Sequence, residues 1–168
     1  MTTTRRLSSI LLGLLTVGFL VPSLPASAAV TYEIHHVATV DGATIRVEIR
    51  RETNFDAAKQ PVILTYSPYN NLNGAQPANS SIAMRYNPRG IAFASADLLG
   101  TRGSTGCWDY GGLKEQQSGV DVVKFLAGKK ANTEGEFLTW SNGNVGMTGG
   151  SYNGTTATMV AATGLPAL

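Results

Sequence analysis

The run Gly149-Gly150-Ser151-Tyr152-Asn153-Gly154 follows the apolar stretch Val145-Gly146-Met147 and precedes a helix-compatible stretch over residues 155–162. This is the layout of a nucleophile elbow. In such an elbow the serine sits on a tight strand-to-helix turn, so small residues are needed where the strand end and the new helix nearly touch. The turn lifts the hydroxyl out of the sheet and aims the first free N–H groups of the helix at a developing negative charge. The common pattern G-x-S-x-G has glycine two residues after the serine. Here Asn153 stands there and Gly154 follows, and asparagine tolerates unusual backbone angles better than most residues. A glycine-rich βα loop with a solvent-exposed serine is the plainer reading of the same residues.

Working outward, residues 31–40 and 43–50 are β-prone runs flanking Asp41-Gly42, a strong hairpin signal. Ile45, Val47 and Ile49 alternate with Arg46, Glu48 and Arg50, which predicts one buried face and one wet face. His35 and His36 then face opposite sides, and both are expected to be structural or surface residues, with no acid partner near in sequence. After a polar connection over 54–60, residues 61–66 form a short apolar strand of the kind buried on both faces of a parallel sheet. Ser67-Pro68-Tyr69-Asn70 ends it. A long polar segment to Arg89 carries a short helix around 82–86, and residues 90–97 give the next buried strand. The spacing of Val120, Val123, Phe125 and Leu126 predicts a covering helix over 115–127. Residues 129–140 read as a polar excursion and 141–144 as a turn into the elbow strand. Alternating strands and helices imply an α/β fold with a parallel sheet. Ligands sit past the strand C-termini of such sheets, where Tyr69, Arg102 and Ser151 all fall.

The N-terminal residues 1–29 read as a secretory signal peptide: Arg5 and Arg6, an apolar run over 7–21, and Ala26-Ser27-Ala28 as the cleavage site. Pro22, Pro25 and the polar interruptions argue against a stable membrane anchor. The chain carries 13 basic and 11 acidic residues, so loss of the two leader arginines leaves a near-neutral protein with no basic tract. Nucleic acid is not an expected partner. Cys107 is the one cysteine; beside Trp108 it is expected to be packed, and no intrachain disulfide can form. No zinc or calcium spacing occurs, and no cofactor is expected. The abrupt end at Gly164-Leu165-Pro166-Ala167-Leu168 suggests the front portion of a longer protein, leaving an open sheet edge.

Several separated motifs now agree. Ser67-Pro68-Tyr69, the loop from Gly100 through Thr101-Arg102-Gly103-Ser104-Thr105-Gly106 to Cys107, the stretch from Trp140 to Gly149, and Ser151-Tyr152-Asn153-Gly154-Thr155 resemble, in order and spacing, the N-terminal catalytic part of the Xaa-Pro dipeptidyl-peptidases. That serine peptidase group also contains the cocaine-esterase-like acyl hydrolases. The resemblance covers nearly all of residues 31–168. It implies an incomplete α/β-hydrolase fold over residues 30–168, ending at the elbow and its helix, with Ser151 as nucleophile. It further implies an oxyanion hole made by the backbone N–H of Tyr152 and the phenol of Tyr69. The residues support Tyr69 independently: Pro68 stiffens the turn that carries it, and a phenol is a competent donor to an alkoxide. An aromatic packing residue at a strand end is the alternative.

Arg102 can anchor a carboxylate or tie its loop through backbone carbonyls, and the second is expected. Asp97 precedes the serine, whereas the triad acid of this fold follows it, so Asp97 is assigned to loop support. Asp121 is expected to be a solvated helix residue. No histidine follows residue 36 and no acid follows Glu136, so the 168 residues alone are expected to be catalytically incompetent. The implied activity is that of a secreted serine aminodipeptidase acting on peptides with proline in the second position. A secreted esterase or acylase of the same group and a non-catalytic vestigial fragment are the competing readings.

Overall fold

The computed structural model describes residues 29–70 and 80–168; the expected signal peptide lies, but for Ala29, outside them. Five strands, β1 (Val30–Ala38), β2 (Thr44–Glu52), β3 (Gln60–Ser67), β4 (Ala92–Asp97) and β5 (Ser141–Met147), form one sheet in the order β1-β2-β4-β3-β5. Among the described residues three α-helices accompany them: α1 (Ser81–Tyr86), α2 (Leu113–Leu126) and α3 (Tyr152–Ala161). The sheet is mixed. β3 runs parallel to both β4 and β5, while β2 runs antiparallel to β1 and β4. The hairpin through Asp41-Gly42 sets the β1–β2 pairing: the Thr39 N–H donates to the Ala43 carbonyl at 2.9 Å and the Gly42 N–H to the Thr39 carbonyl at 3.1 Å, and so short a reversal joins only antiparallel strands. The expected turn at 141–144 is instead the first half of β5, whose pairing with β3 shifts register between Gln60 and Val62.

The main core lies on one face, where Ile45, Val47, Ile49, Val62, Leu64 and Tyr66 meet Val122, Val123 and Phe125 of α2 and Val160 of α3. Alternation along β2 and β3 puts every second side chain there. β4 is buried at all six positions, as a central strand covered on both faces must be. β3 alternates buried with partly exposed residues, and on the other face a smaller cluster gathers Phe93 and Ile63 with Ala83 and Ile82 of α1 and Tyr32 of β1.

The polar face of β2 is not wet. Glu48 is 1% exposed beneath Tyr32, Arg46 and Arg102, all of which donate to its carboxylate. Arg50 pairs with buried Asn87 at 2.7 Å. Asp121 is likewise not a solvated helix residue; it is buried, accepting from the Val40 N–H at 3.1 Å and from Lys130 Nζ at 2.7 Å. Cys107 is exposed rather than packed, because Trp108 turns its indole toward Tyr110 and Tyr152 and leaves the thiol outside. No helix among the described residues is long and apolar enough to cross a membrane.

Candidate active site

The C-terminal ends of the parallel strands β3, β4 and β5 lead into the turn at 68–70, the loop at 98–112 and the elbow. Ser151 stands between β5 and α3 with φ 56° and ψ −133°, a conformation that costs a non-glycine residue about 1–3 kcal/mol. Two features enforce it. At Gly149 an added Cβ would lie 2.3 Å from Asn153 Cβ and 2.7 Å from its carbonyl carbon, so strand end and helix start share room for one side chain. Further along α3, the Thr156 hydroxyl donates to the carbonyl of Tyr66 at 2.7 Å and pins the helix to β3. Asn153 in place of the usual glycine is accommodated because residue 149 has no Cβ.

Ser151 occupies the N-cap of α3, yet its side chain makes no capping bond, although serine is among the preferred caps. Its hydroxyl lies 3.2 Å from the Tyr69 hydroxyl. The structure therefore brings Ser151 and Tyr69 together at an exposed rim from two strands, 82 residues apart. Tyr152, whose backbone N–H opens α3, points its phenol inward to Glu115 Oε2 at 2.9 Å. Burial, with the Glu115 carboxylate also contributing, raises the Tyr152 phenol above its ordinary pKa, although the Trp108 hydrogen bond opposes the shift. Glu115 is fully buried, and the same oxygen accepts from Trp108 Nε1 at 3.1 Å and the Gly111 N–H at 2.8 Å. Nothing in the sequence reading singled out Glu115; its position three residues past the Gly112 N-cap of α2 is the signal that could have.

Behind Tyr69 the turn is anchored at two points. Ser67 Oγ accepts from the Tyr69 N–H at 3.0 Å, and Asn70 Nδ2 donates to Asp97 Oδ1 at 2.7 Å. Asp97 also accepts from the Gly103 N–H at 3.3 Å, consistent with its assignment to loop support. Arg102 anchors carboxylates, contrary to the expectation of backbone carbonyls: its Nη1 lies 2.6 Å from Glu48 and 3.5 Å from Asp97. Arg46 joins the same two acids, so two cations and two anions close a buried, neutral cluster. Burial pushes the Glu48 carboxyl up, but hydrogen bonds from Tyr32, Arg46 and Arg102 outweigh it and hold the group below its ordinary range.

Neither histidine stands at the site. β1 and β5 are the opposite ends of the sheet, about 19 Å apart at ordinary strand spacing. His35 does have acid partners, contrary to the sequence reading. Glu33, two residues back on the same strand face, lies 3.1 Å away, and the 132–136 loop brings Glu136 to 4.0 Å. His35, Glu134 and Glu136 have ligand atoms within 4.8 Å of one another and could hold a cation. Asn132 Nδ2 donates to the Glu134 and Glu136 carboxylates at 2.8 and 3.0 Å, which uses its two hydrogens, and lies 3.1 Å from His35 Nδ1. What the described residues assemble is a strained serine, an exposed phenol beside its hydroxyl, and a helix N-terminus, groups chemically able to supply a nucleophile and donors to a developing oxyanion.

Comparison with known proteins agrees with this geometry. The model of the X-Pro dipeptidyl-peptidase (S15) family matches residues 41–168. A Streptomyces avermitilis protein described as a candidate Xaa-Pro dipeptidyl-peptidase is 36% identical over 153 residues, covering 76% of this chain and 23% of its own length. The chain thus spans about a quarter of the length of such curated relatives. Among solved structures, a CocE/NonD family hydrolase from Staphylococcus aureus superposes with a TM-score of 0.65 at 21% identity, over 84% of this chain and 29% of that one. An α-amino acid ester hydrolase gives 0.65 at 22%, over 91% and 26%. These likenesses establish the fold as that of an α/β hydrolase, of which the chain covers the part up to the elbow helix. With the family match spanning most of its length, the chain belongs to the S15 family of X-Pro dipeptidyl-peptidases.

Proposed function

We propose that the chain carries the nucleophile and oxyanion half of a secreted serine aminodipeptidase that releases Xaa-Pro dipeptides from peptide N-termini. The observation that carries this reading is the 3.2 Å approach of the Tyr69 phenol to the Ser151 hydroxyl at the strand C-termini. In the reaction, Ser151 Oγ attacks the carbonyl carbon of the penultimate proline and gives its proton to a base. The carbonyl oxygen becomes an oxyanion, held by the Tyr152 N–H and the Tyr69 phenol. Collapse breaks the C–N bond, the amine departs with the proton, and water then hydrolyses the acyl-serine ester.

Both histidines of the sequence lie on β1, at the far edge of the sheet from the elbow strand, so on this reading the base that takes the Ser151 proton, with the acid that orients it, is supplied from outside these 168 residues. A proline-directed site also makes physical sense, since proline's fixed φ and missing N–H suit it poorly to clefts that read extended backbone. Secretion is proposed from the leader at residues 1–29.

The test is hydrolysis of Ala-Pro-p-nitroanilide and of p-nitrophenyl acetate by the complete product of the gene, with Ser151→Ala as control. Anilide turnover that disappears in Ser151→Ala supports the peptidase. Ester turnover alone points to the acyl-hydrolase reading, and no Ser151-dependent turnover of either refutes catalysis.

A further inference from the structure

Tyr69 is 59% exposed, so packing does little to aim its ring, yet an oxyanion donor has to be held to within a fraction of an ångström. We propose that Asn70 is the positioning residue that aims Tyr69 at Ser151, by tying the turn after β3 to the buried carboxylate of Asp97. This rests on the reading of Tyr69 as an oxyanion donor.

The geometry is specific to an amide. Asn70 Nδ2 donates to Asp97 Oδ1 at 2.7 Å and to the carbonyl of Ala96 at 3.3 Å, while Asn70 Oδ1 accepts from the Ser95 hydroxyl at 3.3 Å. Both donor and acceptor ends of the side chain are therefore used, on three consecutive residues of the central strand β4. An aspartate of the same shape would set a second carboxylate against Asp97. The anchor itself does not move easily. Asp97 is fully buried, it pairs with Ser67 across the β3–β4 ladder, and Arg46 and Arg102 flank it at 3.6 and 3.5 Å. The Glu48 carboxylate locks those two arginines from the far side. The Tyr69 N–H, held by Ser67 Oγ at 3.0 Å, supplies the other end of the clamp. Tyr69 thus lies between two fixed points, Ser67 and Asn70. The lever is long: the phenolic oxygen stands about 6.5 Å from its Cα, so a turn free to rock by roughly 10° moves it by about 1 Å, a displacement that can cost a hundredfold in rate.

This accounts for a buried ion cluster that takes no part in the chemistry. Asp97 cannot be the triad acid by its place in the chain, and it does not touch Ser151. It holds the partner of the residue that does, and it also fixes the neighbouring loop through the Gly103 N–H.

The test is a double-mutant cycle in the complete gene product, with kcat and KM measured on Ala-Pro-p-nitroanilide. Asn70→Ala and Asn70→Asp are expected to lower kcat by about 10- to 100-fold with KM unchanged to within about twofold. In a Tyr69→Phe background Asn70→Ala should cost no more than about a further twofold, because the two residues act through one hydroxyl. A full additional loss there, or wild-type kcat for Asn70→Ala, overturns the proposal. A second readout does not depend on turnover. In protein carrying ¹³Cζ-tyrosine, the NMR signal of Tyr69, identified by its loss in Tyr69→Phe, should shift or broaden in Asn70→Ala. The signal of Tyr66, buried and bonded to Ser118 at 2.8 Å, should stay in place and report an intact fold. A Tyr69 signal unmoved by Asn70→Ala refutes the positioning role. Wild-type kcat in Tyr69→Phe refutes instead the oxyanion reading of Tyr69, and the NMR comparison then decides the positioning role alone.

Discussion

An alanine at position 149 has nowhere to put its methyl group. A Cβ there lies 2.3 Å from Asn153 Cβ, 2.7 Å from the Asn153 carbonyl carbon and 2.8 Å from its oxygen, against about 3.5–4.0 Å for relaxed carbon contacts. The overlap is with the backbone of the first turn of α3, so no change of rotamer relieves it. Nor can α3 withdraw freely, since Thr156 ties it to the Tyr66 carbonyl and Val160 is fully buried in the core. Overpacking of side chains costs about 1–3 kcal/mol, and a backbone clash belongs at the top of that range or above it, at about 3 kcal/mol. Gly150 is the internal control: nothing lies within 4 Å of a Cβ built there and its φ is not positive, so Gly150→Ala should stay within about 0.5 kcal/mol of wild type. Equilibrium urea unfolding followed by far-UV circular dichroism measures both. With m near 1–3 kcal/mol/M, Gly149→Ala should lower the midpoint by about 1–3 M at constant m. Equal midpoints for the two alanine variants would refute the account of the elbow as a point of forced contact between strand and helix.

Ser151→Gly should stabilise the fold by about 1 kcal/mol, because glycine relieves the strain at φ 56° while adding some unfolded-state entropy; thermal unfolding compared with Ser151→Ala, which keeps the strain, checks this. Glu48 has its folded pKa held below the ordinary 4.5 by hydrogen bonds that outweigh burial, so its stabilisation is fully present above about pH 4.5 and is lost as pH falls through the folded value. Glu48→Gln should therefore flatten the acid limb of a melting-temperature profile and cost about 3 kcal/mol at pH 7, because it leaves the half-buried Arg46 and Arg102 with Asp97 as their remaining carboxylate in the cluster. Tyr152→Phe removes a donor to buried Glu115 but keeps the backbone N–H, so it should cost about 1–3 kcal/mol in urea unfolding and change kcat on the anilide by less than threefold, roughly the size of a minor positional effect.

The parts of this fold that sequence made legible are those whose cause is local. The elbow was readable because a strained serine and a strand-helix contact both demand small residues within a few positions, and Gly149 meets that demand whatever surrounds it. The hairpin at Asp41-Gly42 and the alternation along β2 were readable for the same reason, as were Tyr69 and Ser151 as residues at strand ends. What sequence did not disclose was which charges face one another. Period-two alternation assigns Glu48 to the face away from the main core, but it cannot say that Arg102, 54 residues on, closes over that face. A polar face and a buried polar cluster have the same pattern. Asp121 misled in the same way, since a carboxylate on an amphipathic helix looks solvated until Lys130 and the Val40 N–H are folded against it. His35 differs, because Glu33 lies two residues away on the same strand face, a relation that period-two geometry contains. The charged residues therefore divide by range. Those paired within a strand, His35 with Glu33 and Arg46 with Glu48, can be found from sequence, whereas the contacts of Arg102 with Glu48 and Asp97 and of Asn70 with Asp97 form through the tertiary fold and can be recognised as support for the Tyr69 turn only once the strand order β2-β4-β3 brings them beneath it.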